Sequence, residues 1–188
     1  MMIYGERIAL RPMEKSDTAD IIRWRNTDFV RKNFIYQKPF TVETHQHWME
    51  TMVNTGKVVQ FMICPYEEST EKEAGKVRQS QPGQIKDTGL KKCGNAVGSV
   101  YLRDINKTHH KAEYGIFIGE EAALSKGYGT EAAQLMLQYA FETLHLHKVM
   151  LRVLAENVWA QRSYERAGFQ KEAYLKDDVF LNGKYCDV

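Results

Sequence analysis

Cysteine is scarce. Cys64, Cys93 and Cys186 are odd in number and far apart, which argues against a disulfide framework or a cysteine zinc site and fits a reducing cytoplasm. No apolar run approaches the ~20 residues that a bilayer-spanning helix needs. The stretch from Met1 to Leu10 carries Glu6 and Arg7 among its apolar residues, which suits no signal peptide. Charge of one sign is not in excess either. Lys and Arg number 26 against 24 Asp and Glu, for a net charge of +2, which argues against a protein that holds nucleic acid mainly by charge. No G-x-x-x-x-G-K-[ST] phosphate loop occurs. Metal spacing is absent as well. His45 and His47 are two apart and would leave a helix in different directions, and His109-His110 and His145-x-His147 read as surface residues.

What is present fits a globule. The 188 residues are 43% apolar and 27% charged, enough for one domain, 1–188, with a real core. The pattern predicts a strand over Ile3 to Arg11 ended by Pro12, then a helix capped by Ser16 or Asp17 and carrying Ile21, Ile22 and Trp24. A second helix starts at Thr41, runs through His45, Trp48, Met49 and Met52, and stops near Gly56. Strands follow over Val58 to Cys64, Ala96 to Asp104 and Lys111 to Gly119. Between the first two lie residues 66–95, where only six of thirty residues are apolar. Such a stretch cannot build a core and reads as a polar surface insertion. The later chain predicts an amphipathic helix over Tyr128 to Leu144, a strand over Val149 to Leu154, and a short helix from Ala160 to Ala167 stopped by Gly168. Strands over Phe169 to Leu175 and Val179 to Leu181 come next, then an Asn182-Gly183 turn and a last short strand. A strand–helix–strand series of this kind demands a parallel pair.

The most informative stretch is Leu124-Ser-Lys-Gly-Tyr-Gly-Thr-Glu131. Gly127 and Gly129 stand where a loop becomes a helix. The first N–H groups of a helix lack internal partners and its dipole favours anions, so this turn suits a phosphate or diphosphate. Gly127, Gly129 and Ala132 also match the dinucleotide pattern G-x-G-x-x-[GA], with Glu156 in the place of a ribose-binding acid. The context disagrees, because the motif begins eight residues after Gly119 and too late for the repeated halves of that fold. A third reading is coenzyme A, its diphosphate on the helix start and its pantetheine arm along neighbouring strand edges.

Lys126-Gly-Tyr-Gly-Thr-Glu-Ala132, followed by Asn157-Val-Trp-Ala-Gln-Arg-Ser-Tyr-Glu-Arg-Ala-Gly-Phe169, resembles the GNAT superfamily of acetyl-CoA-dependent N-acetyltransferases. The chain looks most like the branch of ribosomal-protein N-terminal acetyltransferases and their small-molecule relatives, which Ile8-Ala-Leu-Arg-Pro12 and Trp24-Arg-Asn26 also resemble. The resemblance spans nearly the whole chain outside residues 66–95. Leu124 stands where the family pattern has Gln or Arg, and similar chains carry a longer last strand.

The resemblance implies an α+β, GNAT-type acyl-CoA N-acyltransferase fold: a mixed, mostly antiparallel twisted sheet with helices on both faces. It implies acetyl-CoA as co-substrate, no metal, and direct transfer to a primary amine, either a protein N-terminus or a small molecule such as an amino sugar. Tyr164 becomes the candidate general acid at the coenzyme sulfur, and Glu113 the candidate base. Phe117, Ile118, Lys126, Gly127, Tyr128, Gly129, Thr130 and Asn157 become candidates for holding the donor, with the oxyanion met by a backbone N–H near Phe117 or Ile118. Trp24, Asn26, Tyr36, His45 and Trp48, crowded with Arg25 and Phe34 in the N-terminal helices and their link, become the candidate acceptor floor. The expected assembly is a monomer or homodimer, with no direct nucleic-acid or membrane partner. A non-catalytic acyl-CoA-binding regulatory module is the competing reading.

Overall fold

Alternation decides the two faces of the sheet. In strand β3 (Val59–Pro65), Phe61 and Ile63 point one way and Met62 and Cys64 the other, and all four are buried. Both faces must therefore be covered. The computed structural model describes residues 1–67 and 92–188. Its sheet runs in the order β1 (Ile3–Tyr4), β2 (Ile8–Pro12), β3, β4 (Gly98–Asn106), β5 (Lys111–Ile118), β6 (Lys148–Met150). Neighbours are antiparallel except β5 and β6, which are parallel.

Helix α1 (Thr18–Arg25), the four-residue α2 (Asp28–Arg31) and α3 (Val42–Trp48) lie on the first face. Helix α3 widens into a π-helical stretch, Met49–Val53. Ile21, Trp24 and Met49 pack there with Met62, Cys64 and Phe117. On the other face lies α4 (Tyr128–Gln138), extended by a π-helical stretch, Tyr139–Thr143. Its residues Ala132, Ala133, Met136 and Ala140 press on Ile8, Leu10, Phe61, Ile63, Val100 and Leu102. The small alanines bring the helix close, and each fully buried large side chain is worth about 1.5–3 kcal/mol.

The βαβ unit opens the sheet. Parallel pairing joins Lys111, Ala112 and Glu113 to Lys148, Val149 and Met150 and then stops, although β5 runs on to Ile118. Beyond Glu113 the β6 side of β5 has no strand partner among the described residues. Helix α5 (Val158–Ala167) follows, started by Asn157 and ended by Gly168. The hairpin β7 (Val179–Leu181) and β8 (Lys184–Cys186) turns through Asn182 and Gly183, both at positive φ (50° and 82°), as a two-residue primed turn requires.

Four expectations need correction. The strand expected over Val149 to Leu154 ends at Met150. The first strand is two short pieces, turned at Gly5. The link between the two expected N-terminal helices contains the four-residue α2, too few residues for any apolar period to register. Phe169 to Leu175 forms no ladder. A cavity of about 730 Å³, lined by Val149, Leu151 and Val153 on one side and Gln170, Glu172 and Tyr174 on the other, separates this segment from the strand it would join. Only Leu175 exchanges two backbone hydrogen bonds, with Val188. The insertion read over 66–95 has its interior outside the described residues, while its ends meet through a Tyr66–Cys93 bridge.

Trp24 lies hard against β5's end. A Cβ at Gly119 would sit 2.1 Å from its Cγ. Gly119→Ala is expected to destabilise the fold by about 1–3 kcal/mol, lowering the urea midpoint at constant slope. An unchanged midpoint would contradict this packing.

Candidate active site

The start of α4 is a cradle of backbone N–H groups. Gly127 adopts φ +80°, a left-handed conformation that glycine takes without strain. The first intrahelical bond runs from the Glu131 N–H to the Gly127 carbonyl at 3.1 Å, so helix geometry leaves the N–H groups of Tyr128, Gly129 and Thr130 without internal acceptors. A Cβ at Gly129 would come no nearer than 3.9 Å to Ser163 Oγ and 4.0 Å to Ile116 Cδ1, so there is room at this surface. Lys126 is exposed beside it. The residues present fit a diphosphate.

Arg7, in the turn between β1 and β2, fastens the cradle from behind. Its guanidinium donates to the Lys126 carbonyl at 2.8 Å and the Gly127 carbonyl at 3.4 Å. Its backbone N–H and Nε donate to the two oxygens of buried Glu131, each at 2.9 Å. A Cβ at Gly127 would lie 2.8 Å from the guanidinium, so the glycine serves the clasp as well as the turn. Neither Arg7 nor Glu131 was singled out from the sequence, because their partnership spans 124 positions. Thr130 Oγ1 lies 2.9 Å from Ser163 Oγ and ties α4 to α5.

Tyr164, on α5, reaches the opening beyond the β5–β6 pairing. Its ring packs edge-on to Tyr114 (6.1 Å) and Phe169 (5.9 Å). Burial raises its pKa above the usual phenol value, with nearby Tyr101 adding to the shift, so the hydroxyl holds its proton through the neutral range. The Asn157 side chain accepts from the Ala160 N–H at 3.2 Å as an N-cap, an engagement that uses its oxygen and not its amide nitrogen. Phe117 directs its ring into the α1 face, against Trp24 and Phe34, so what it and Ile118 can offer a ligand is backbone.

A polar set lines the α1 face of β4 and β5. Arg103 and Glu113 are cross-strand partners, and Arg103 Nη2 donates to Glu113 Oε1 at 2.7 Å. Arg152 Nε approaches the same oxygen at 3.5 Å. Tyr101 lays its ring over Gly115, where a Cβ would come within 2.2 Å of it. Burial raises the Tyr101 pKa against the opposing pull of Arg103 and Arg25. Tyr101, Arg103 and Arg152, and Tyr114 on the opposite face, escaped the sequence reading. Sheet pairing brings the first three to Glu113, and no local motif announces it.

The acceptor candidates divide. Trp24 is 0% exposed and donates to Glu120 at 2.7 Å; His45 is 1% exposed, beside Thr18 Oγ1 at 3.2 Å, its pKa lowered by burial. Both are interior packing. Asn26 binds the Phe40 backbone with both its carbonyl and its amide, at 2.8 Å each, and so fixes the link between α2 and α3. Trp48, half-buried, donates to Gln60 Oε1 at 3.2 Å. Tyr36 is 56% exposed. No group of metal-ligating side chains occurs among the described residues, and no described helix is long and apolar enough to cross a membrane.

Comparison with known proteins places this geometry. The family model described as acetyltransferase (GNAT) domain matches residues 7–170. A spermidine N(1)-acetyltransferase of Vibrio cholerae is 40% identical over 94 residues, 50% of this chain and 54% of that protein. The chain thus spans about half the length of the spermidine acetyltransferases it matches. The [ribosomal protein uS5]-alanine N-acetyltransferase of Escherichia coli is 23% identical over 97% of this chain and 84% of its own length. The crystal structure of the Vibrio cholerae spermidine N-acetyltransferase in complex with CoA and spermine superposes with a TM-score of 0.78 at 23% identity, covering 97% of this chain and 92% of that one.

Loss of the clasp should be felt at the cradle. Arg7→Ala is expected to weaken CoA binding about tenfold in calorimetry, the size of one or two charged hydrogen bonds, and to leave S-acetylpantetheine, which lacks the diphosphate, unaffected. Equal losses for both ligands would contradict a cradle role.

Proposed function

The chain belongs to the acetyltransferase (GNAT) domain family, and from that premise we propose that it moves an acetyl group from acetyl-CoA to a primary amine by direct transfer in a ternary complex. The observation that carries the reading is the N–H cradle at Tyr128 to Thr130, which opens beside the point where β5 and β6 part and Tyr164 stands. In this reading the cradle binds the diphosphate, with Lys126 adding charge. The amide nitrogen of Asn157 holds the pantetheine arm, and a backbone N–H at Phe117 or Ile118 meets the developing oxyanion.

The amine nitrogen attacks the thioester carbonyl carbon and the C–S bond breaks. Tyr164 gives its proton to the departing sulfur, and the phenolate recovers one from the amine as the amide forms. A phenol whose pKa is raised by burial stays protonated until needed. The acceptor must arrive neutral. An α-amine, with pKa about 7.7–8.0, does so far more readily than a lysine-like amine near 10.4. An acceptor that enters as an ammonium must first lose that proton, and Glu113 is the proposed base for this earlier step through Oε2, because Oε1 is occupied by Arg103 and Arg152.

Asn26, Tyr36 and Trp48 remain the proposed acceptor contacts, whereas buried Trp24 and His45 serve by packing. The substrate of the spermidine acetyltransferase relatives makes a polyamine one acceptor to test, beside N-terminal peptides and amino sugars. A thiol-release assay with acetyl-CoA and this panel tests the reading. Tyr164→Phe is expected to lower kcat by about 10²–10⁴ with CoA affinity little changed. No thiol release with any amine, while CoA still binds, would favour the regulatory-module reading. Unchanged kcat would remove Tyr164 from the mechanism.

A further inference from the structure

Charge on the α1 face of the sheet is unevenly balanced. Three carboxylates there already hold cations. Glu113 accepts from Arg103 and lies beside Arg152. Asp17 accepts from Arg11 at 2.7 and 3.0 Å, and Glu120 from Arg23 at 2.7 Å. Arg25 has no such partner among the described residues. It is 7% exposed, and its Nη1 is buried without a hydrogen bond. Nη2 makes one long bond to the Tyr36 carbonyl, at 3.3 Å. Its guanidinium lies over the rings of Phe34 at 3.4 Å, Phe40 at 4.8 Å and Phe117 at 5.9 Å, and the Tyr101 and Tyr36 phenols are near enough to act on its charge.

Stacking on aromatic faces recovers part of the cost of burying a cation, but it satisfies no N–H. Burial lowers the Arg25 pKa to about 10, so the charge persists at neutral pH. The position is telling. Phe117, whose ring neighbours the guanidinium, belongs to the strand end whose backbone is proposed to meet the thioester oxygen, so Arg25 lies on the acceptor side of that strand.

We propose that Arg25 receives an anionic group, carboxylate or phosphate, carried by the amine acceptor, so that the chain acetylates anion-bearing amines in preference to polyamines. This rests on the acetyl-transfer reading above. A guanidinium offers paired, planar donors that match either anion, and the aromatic box excludes the water that would otherwise compete. A polyamine presents only positive charge. Glu113, Asp17 and Glu120 on this face are already engaged by arginines, and Arg25 repels it.

The test is thiol release with matched acceptors, compared at equal concentrations of neutral amine: glycine against glycinamide, O-phosphoethanolamine against ethanolamine, and spermidine. The expected result is a preference of about tenfold or more in kcat/KM for the anion-bearing member of a pair, the size of one charge-assisted hydrogen bond. Preference in the first pair alone assigns a carboxylate, in the second alone a phosphate. Arg25→Gln is expected to collapse that ratio, whereas damage to the fold would lower both members together. Equal rates within both pairs, or spermidine faster than every anion-bearing amine, would overturn the proposal and leave acetyl transfer standing. A ratio that survives Arg25→Gln would overturn the assignment to Arg25. No release with any amine would overturn both.

Discussion

The clasp between Arg7 and Glu131 joins the first turn of the sheet to the first turn of α4, and the working geometry hangs from it. One arginine satisfies both oxygens of a buried carboxylate and two carbonyls of the loop before the helix. Those carbonyls are thereby engaged on the Arg7 side, and the unpaired N–H groups of Tyr128 to Thr130 remain for a ligand. A carboxylate in the first turn suits the helix dipole, and its neutralisation by Arg7 prevents it from repelling an anion bound close by. Gly127 is needed twice, for its left-handed φ and for the space the guanidinium takes.

The second constraint is the early parting of β5 and β6. Three residue pairs hold the parallel contact, and then the strands go separate ways. An unpaired strand edge is costly inside a protein unless something else bonds it. Here the unpaired edge lies beside the cradle and below Tyr164, which is where an extended pantetheine arm would lie in the proposed complex. The same parting lets α5 bring Tyr164 against Tyr114, so that burial keeps the phenol protonated.

Much of this was legible in the sequence because it is local. The apolar face of α4, the two glycines before it, the Asn157 cap and the Gly168 stop each sit within one helix turn of their effect. Strands β3 to β5 were legible for the same reason, and their bounds shift by only one or two residues. The polar set on the α1 face was legible only in Glu113 and Arg25. Tyr101, Arg103 and Arg152 join them through the β4–β5 register and the β5–β6 pairing, which no local pattern announces. Trp24 and His45 looked like acceptor contacts because aromatic and imidazole groups suit ligands, yet burial makes them core. Phe169 to Leu175 carried strand-like residues, but a ladder needs a partner within reach, and residue pattern alone cannot supply one.

The account stands on the backbone cradle at the start of α4. Amide hydrogen exchange with and without saturating CoA addresses it residue by residue. Protection gained at Tyr128, Gly129 and Thr130, ahead of the rest of α4, is the result the account predicts. Unchanged exchange at those three amides, with CoA bound and protection gained elsewhere, would contradict it.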